Sequence, residues 1–524
     1  MPAWLKDAVF YEIYPQSFCD SNGDGIGDLP GIVSKLDYIR DLGCNALWIN
    51  PCYDSPFKDA GYDVRDYKKV APRYGTNDDL VTLFNEAHER GIRVCLDLVP
   101  GHTSEEHPWF KKSAEPEENE YTRRYIWTDH WLAGTPGHPY IAGESGRPAC
   151  YMPNFFKCQP ALNYGFLHPV YPWQSGPDSP EARATIEAMK DVCRFWLDQG
   201  CDGFRVDMAD SLVKDDDERK SGTCAIWREI RGMFDRDYPE AVLISEWSNP
   251  ELSLVSAGFH MDFYLDHGGN GYNTLFRDYW GPGPDRSYFR ADGAGDVMRF
   301  LKDYLPKLAA TKRSGYISFI SCNHDTRRPR YSLTERELQV AYTCLYTLPG
   351  VPFVYYGDEI GMRYQELPSK EGGYDRTGTR TPMQWDEGPN RGFSTASADA
   401  LYLPVDPAPD APCVSRAAAD TASLYHTVKQ VLALRHAFPA LQADGDLEIL
   451  HAASGDPLFV YARRAGDRGM VIAVNPSRTD RAVSVDVPCG PCRFSVGTAE
   501  GRDLGDGRSM IRLGAQSAAV FACG

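Results

Sequence analysis

Short runs of β-branched and aromatic residues alternate with helically spaced apolar positions through most of the chain. The runs predict strands over residues 9–14, 46–50, 93–99, 203–206, 242–246, 261–265, 316–320 and 351–355. Helical spacing falls between them, over 32–42, 78–90, 180–199 and 338–346; in the first, Ile32, Leu36, Ile39 and Leu42 share one face. Eight parallel-type strands separated by helices predict the α/β class. The architecture expected is a closed (β/α)8 TIM barrel rather than an open sheet.

Two stretches break the alternation. Residues 103–175 are dense in Pro, Gly, His and aromatics without a long periodic helix, which predicts a loop-rich domain inserted after the third strand. From 439 to 524 short strands with turn signals predict a separate antiparallel β-sandwich domain, leaving 1–102 and 176–438 as the barrel. Residues 397–421 read as an exposed excursion before a helix over 424–436.

Charge narrows the partners. Against 55 Lys and Arg stand 73 Asp and Glu, a net −18 among 524 residues. The only basic cluster longer than a pair is Arg327-Arg328-Pro329-Arg330, so neither nucleic acid nor an anionic membrane is an expected partner. No window approaches the apolar length of a membrane span, and Met1 to Asp7 shows no export signal. Fifteen scattered cysteines then predict reduced thiols and a cytoplasmic setting. Cys489-Gly490-Pro491-Cys492 has redox spacing, but its alternating flanks read better as a hairpin turn between strands than as the helix start that thiol chemistry prefers.

In such a barrel, polar residues at the C-terminal strand ends are the catalytic candidates. These are Asp97 and His102, Arg205 and Asp207, Glu246, and His324 with Asp325. Asp97 reads as a holder of neighbouring groups. Two carboxyls facing one site are what glycoside cleavage needs, one ionised to attack the anomeric carbon and one protonated to release the leaving oxygen. Arg205 lies on the strand face of Asp207 and is expected to hold it ionised. Glu246, after Val242-Leu243-Ile244 and before Trp247, has the apolar setting of an acid.

The segments Asp97-Leu98-Val99-Pro100-Gly101-His102, Gly203-Phe204-Arg205-Val206-Asp207, Ile244-Ser245-Glu246 and Asn323-His324-Asp325 resemble the four ordered signatures of the α-amylase family, glycoside hydrolase family 13. Gly61-Tyr62-Asp63, Gln159-Pro160-Ala161-Leu162-Asn163, Tyr356-Gly357-Asp358-Glu359 and Arg380-Thr381-Pro382-Met383-Gln384-Trp385 resemble its α-glucosidase branch. The resemblance implies retaining chemistry, with Asp207 as nucleophile, Glu246 as general acid/base and Asp325 stabilising the transition state. It also implies sugar contacts from Tyr62, Asp63, His102, Arg205 and His324, and an Arg328 paired with Asp325.

Asp20-Ser21-Asn22-Gly23-Asp24-Gly25-Ile26-Gly27-Asp28 is similar to the start of an EF-hand loop, although Gly31 stands where the closing Glu belongs. The resemblance implies a structural Ca2+ held by Asp20, Asn22, Asp24, the Ile26 carbonyl and Asp28, with no organic cofactor. The alternative is an Asx-rich turn capping the next helix. Gly101 replaces the family's usual Asn, so a second ion is not expected, and Met208 matches neither the α-1,6 nor the α-1,4 habit of the branch.

The function expected is exo-acting hydrolysis of short α-glucosides, disaccharides and oligosaccharides, through a covalent glucosyl-enzyme. A transglycosylase or isomerase of the trehalose synthase or sucrose isomerase kind shares that intermediate. A non-catalytic relative would lack the three carboxylates and carry an anchor.

Overall fold

The computed structural model describes residues 1–132, 134–265, 270–279 and 283–523. Eight strands run parallel: β1 (Phe10–Ile13), β2 (Ala46–Ile49), β3 (Arg93–Leu98), β4 (Gly203–Val206), β5 (Val242–Ser245), β6 (Met261–Phe263), β7 (Tyr316–Ser318) and β8 (Phe353–Tyr355). From β1 to β7 each pairs with the next in sequence, and β8 pairs with β1. Between β7 and β8 the ring closes just past the strand end, where Phe353 N donates to Phe319 O at 2.9 Å and Ser321 N to Phe353 O at 3.1 Å. All eight predicted strands are present and each is buried on both faces, apart from the first residues of β3 and β7.

Helices cover the outside, and their starts follow local chemistry. Thr76 and Asp79 form a capping box for Asn77–Glu89, as do Thr334 and Glu337 for Glu335–Leu345, while Ser179 caps Pro180–Leu197 with proline in its first turn. The single helix expected over 32–42 is instead two, Leu29–Val33 and Leu36–Leu42. Strand β5 is followed by a π-helical turn, Glu251–Ala257.

Aromatic rings fill the barrel axis. Phe10 stacks on Phe353 at 4.4 Å, and Phe263 meets Phe353 at 4.8 Å and Trp48 at 5.3 Å. Above them the guanidinium of Arg205 lies 4.9 Å from the Trp48 ring, which marks the passage from an apolar plug to a polar layer. Gly203 opens β4 at φ +147, with a virtual Cβ only 2.3 Å from Val242 O, so no side chain fits between β4 and β5 there.

After β3 the chain leaves the barrel for a loop-rich excursion. Its regular structure is the helix Pro108–Ser113 and isolated antiparallel bridges such as His102↔Ala161 and Trp127↔Tyr151. After the barrel come β9 (Asp446–His451), β10 (Phe459–Ala465), β11 (Arg468–Asn475), β12 (Arg481–Val485), β13 (Cys492–Val496), β14 (Ala499–Gly505), β15 (Arg508–Leu513) and β16 (Ser517–Cys523). They form two antiparallel sheets, β9-β10-β11-β16-β13 and β12-β15-β14.

One expectation changes here. Cys489 and Cys492 lie in a crossover between the sheets, not in a hairpin, because β12 pairs with β15 while β13 pairs with β16. Both thiols are free. The 397–421 segment is largely exposed, as expected, and Tyr402 N donates to Gly25 O at 3.0 Å, which ties it to the first loop. Among the described residues no helix is long and apolar enough to cross a membrane.

Candidate active site

Parallel register puts Asp97 on β3 beside Arg205 on β4. The Arg205 side chain is 1% exposed and serves three carboxylates. Nη1 lies 2.9 Å from Asp97 Oδ1 and 3.0 Å from Asp207 Oδ1, and Nη2 lies 2.6 Å from Glu246 Oε1. Asp97 spends its other oxygen on Trp48 Nε1 and the Tyr62 hydroxyl, both at 3.0 Å, so it holds neighbours as expected.

Glu246 is fixed from a second side. Met208, in the left-handed region at φ +43, donates its N–H to Glu246 Oε2 at 3.0 Å. A bulky residue held there stores about 1–3 kcal/mol of backbone strain, a cost usually met at functional sites. Burial pushes the Asp207 carboxyl well above the usual range, and the charge of Glu246 adds to this; Arg205 opposes both. The guanidinium was expected to dominate, but its charge is divided among three carboxylates. The cluster therefore retains a proton that an isolated carboxylate would have lost.

Asp325 is held in the opposite way. Its Oδ1 meets Arg376 Nη1 and Arg380 Nη2, each at 2.8 Å, and its Oδ2 lies 3.3 Å from His324 Nε2. Burial works against the charge, yet His324 and the two arginines hold the carboxyl well below the usual range. For His324, burial opposes protonation, but Asp325 and Glu12, 2.9 Å from Nδ1, push its pKa up to about 9. The imidazole stacks on Tyr62 with centroids 5.3 Å apart, and the Tyr62 hydroxyl reaches Nε2 at 2.7 Å.

These groups open into a cavity of about 300 Å³ lined by Asp59, Tyr62, His102, Asp207, Glu246, Asp325 and Arg376, with Phe155, Met208, Asp210, Trp247 and Leu265 completing the wall. His102 Nε2 lies 3.1 Å from Tyr62 O, and burial lowers its pKa to about 4, so the ring is neutral.

Of the predicted sugar contacts, Tyr62 and His102 line the cavity; Arg205 and His324 are buried behind the carboxylates they pair with, and Asp63 and Arg328 lie elsewhere. Asp63 is fully buried and accepts from Ser55 Oγ, Lys58 N and Asp59 N at 2.9–3.0 Å, so it organises its loop and does not line the cavity. Ala60 and Gly61, at φ +52 and +101, turn the chain so that Asp59 and Tyr62 face inward. Burial pushes Asp59 up to about 6. Arg328 does not pair with Asp325. It is buried beneath the site, with Nη1 2.9 Å from Asp358 Oδ1 and 2.8 Å from Tyr356 O. The arginines on Asp325 come from the 374–380 segment instead. Sequence reasoning missed Asp59 and Arg376. Gly61 was the only visible sign of the turn, and nothing local marks Arg376.

The Asp20–Asp28 loop forms consecutive Asx turns: Asn22 N donates to Asp20 Oδ1, Asp24 N to Asn22 Oδ1 and Ile26 N to Asp24 Oδ1, at 2.8–3.1 Å. Asp28 caps the helix Leu29–Val33 through Gly31 N at 2.7 Å. Among the described residues no three His, Cys, Asp or Glu side chains converge as a metal cage. The oxygen-only donor set suits a hard dication. In this conformation, however, the oxygens of Asp20 and Asp28 are turned to backbone and hydroxyl donors, including Ser394 at 2.5 Å from Asp20 Oδ2.

A barrel with this carboxylate-guanidinium layer at its C-terminal mouth defines a carbohydrate-active enzyme. The chain belongs to the α-amylase family, glycoside hydrolase family 13: residues 12–444 match the α-amylase catalytic domain. It is 33% identical to trehalose synthase/amylase TreS of Mycobacterium tuberculosis H37Rv, over 93% of this chain and 84% of that one. It is 30% identical to the oligo-1,6-glucosidase of Heyndrickxia coagulans, over 95% and 96%. The crystal structure of trehalulose synthase MutB from Pseudomonas mesoacidophila MX-45 superposes with a TM-score of 0.83 at 25% identity, over the whole of both chains.

Proposed function

We propose that the protein is a retaining enzyme that cleaves the α-glucosidic bond of short α-glucosides from the non-reducing end, with hydrolysis as its main outcome. The observation that carries this reading is the single guanidinium of Arg205 shared by Asp207 and Glu246, which draws the two carboxyls together in the wall of one cavity. Retaining chemistry wants such a pair about 5–5.5 Å apart.

In the first step ionised Asp207 attacks the anomeric carbon as Glu246 gives its proton to the glycosidic oxygen, and the aglycone leaves as an alcohol. Ionised Glu246 then takes a proton from water, whose oxygen displaces Asp207 and releases glucose. Asp325, kept charged by Arg376, Arg380 and His324, is suited to bind sugar hydroxyls as positive charge develops at the anomeric carbon.

A second reading has specific support. The TreS relative is named a trehalose synthase/amylase and MutB a trehalulose synthase. In that case a sugar hydroxyl, not water, resolves the intermediate. Product analysis separates the two, using maltose, isomaltose, sucrose, trehalose, kojibiose and nigerose with the Asp207→Ala variant as control. Free glucose supports hydrolysis; new disaccharides with little glucose support transfer; no consumption of any α-glucoside overturns both.

We also propose, from the loop's donor chemistry, that a divalent cation steadies Asp20–Asp28 through Asp20, Asn22, Asp24, the Ile26 carbonyl and Asp28. Binding would require some of the present side-chain contacts to be given up.

A further inference from the structure

A second cavity, of about 290 Å³, opens in the loop-rich excursion after β3 and shares no lining residue with the catalytic one. Its wall includes Arg123, Trp127, Asp129, Arg147, Trp173 and Ser175. In it Arg147 is positioned by the backbone and not by an acid. Its Nη1 donates to Ser113 O at 3.1 Å and to Thr122 O at 2.7 Å, and its guanidinium lies 4.8 Å from the Trp127 ring. Among the described residues Arg147 forms no ion pair. Burial and the charge of Arg123 both work against its charge, and only Glu118, at a distance, favours it.

The backbone contacts use Nη1 alone. Nε and Nη2 have no acceptor among the described residues, and neither is sealed from solvent. Their N–H groups lie along one edge of the guanidinium, the edge that grips two oxygens of a carboxylate or phosphate together. Arg123 also makes no side-chain hydrogen bond among the described residues, and Glu181 is 3.7 Å from its Nε. Trp173 Nε1 and Ser175 Oγ are likewise unspent there. The other polar groups of the wall are used: Asn163 Nδ2 donates to Arg123 O, Thr128 Oγ1 to His130 O, and the Tyr125 hydroxyl bonds Thr103 Oγ1. Among the described lining residues Asp129 is the one acid, and it is exposed and without an ion pair. What the cavity offers a ligand is therefore two guanidiniums and two further donors, in a chain whose net charge is −18.

We propose that this cavity binds a small phosphate monoester carrying a hydroxylated ring, its phosphate held by Arg147 Nε and Nη2 together with Arg123. Two guanidiniums match the charge of a phosphate monoester, about −1.5 to −2 at neutral pH, better than that of one carboxylate. Trp173, with Phe166 against it at 5.7 Å, supplies an aromatic wall, and its indole N–H and Ser175 suit ring hydroxyls.

The test is calorimetric titration of the full chain with glucose 6-phosphate, inorganic phosphate and glucuronate. Wild type, Arg123→Ala, Arg147→Ala and Arg147→Lys are compared. Wild type should bind glucose 6-phosphate saturably, and more tightly than either inorganic phosphate, which lacks the ring, or glucuronate, which lacks the second charge. Arg123→Ala and Arg147→Ala should each raise the Kd about tenfold or more, the scale of a hydrogen bond between charged groups. Arg147→Lys should recover little of that, because an ammonium has no fork. Arg147→Ala also gives up two backbone contacts, so its melting temperature is measured; if it fails to fold, Arg123→Ala and Arg147→Lys carry the comparison. No saturable binding of glucose 6-phosphate, or binding that Arg123→Ala and Arg147→Lys leave intact, overturns the proposal. Glucuronate binding as tightly as glucose 6-phosphate overturns the choice of phosphate. Neither result bears on the cleavage reading, which rests on the other cavity.

Discussion

Arg380 Nη2 lies 2.8 Å from Asp325 Oδ1, and Arg376 reaches the same oxygen at the same distance. Two guanidiniums on one carboxylate oxygen, with His324, favour the charged form of Asp325, whereas burial and the nearby Glu246 favour the protonated form of Asp207. The site thus sets Asp325, held toward ionisation, apart from Asp207, which burial holds toward protonation.

Removing one of those guanidiniums should loosen that separation. Arg376→Ala is expected to lower kcat/KM about a hundredfold, the scale of losing one preorganised donor. It should also move the acidic limb of the pH-rate profile upward, because Asp325 would ionise later. Arg328→Met should behave differently. It takes from buried Asp358 its ion partner at 2.9 Å and leaves Ser321 and the more distant Arg277, a loss of about 3 kcal/mol that thermal unfolding would register. A loss of activity without loss of stability in Arg328→Met would count against the assignment.

The proposed acid and nucleophile can be told apart by leaving group. Asp207→Ala should abolish turnover on every substrate, since no covalent route remains. Glu246→Gln should lose about 10²–10⁴-fold on disaccharides and much less on 4-nitrophenyl α-glucoside, whose phenolate leaves without a proton. Equal losses on both substrates would remove Glu246 as the acid.

Asp59 and Asp63, four residues apart, should report opposite properties. Asp63→Ala removes an acceptor for three donors and should cost about 3 kcal/mol of stability. Asp59→Asn should leave the melting temperature nearly unchanged and lower kcat/KM at least tenfold. Stability loss confined to the Asp59 variant would reverse the two roles.

Much of this was legible in the sequence. The eight strands follow from apolar runs, and the strand-end carboxylates from barrel geometry and ordered motifs. Asp59 was not legible, because its inward direction depends on the left-handed pair Ala60 and Gly61, and a Gly does not say which flank faces the site. The Arg328 pairing failed for a related reason. Asp325 and its arginines lie on separate segments, and proximity in sequence is a poor guide where loops from several strands converge.

His324 makes stability pH-dependent. Its folded-state pKa is about 9, against about 6.5 in an unfolded chain. Its contribution is therefore fully present below about pH 6.5 and is lost as pH rises through about 9. The melting temperature should fall across that window, and the fall should be smaller in His324→Asn. An identical slope in the variant would assign the effect to other groups.

The cation proposal has a readout independent of turnover. Ca2+ should raise the melting temperature, by the equivalent of about 2.7 kcal/mol at a hundred times its Kd. Asp24→Ala should abolish that rise, and chelation should leave kcat unchanged below the transition. A shift that persists in Asp24→Ala would place the ion elsewhere.

The rings of Phe10, Trp48, Phe263 and Phe353 are each at most 1% exposed and stop the barrel axis like a cork. The barrel axis therefore offers no exit opposite the cavity, and under the proposed function the departing aglycone and the incoming acceptor use the same side of the barrel. Whether water or a sugar arrives next is then a question of how long the departing group lingers. Side chains at the threshold can set the enzyme's outcome without touching a reacting atom.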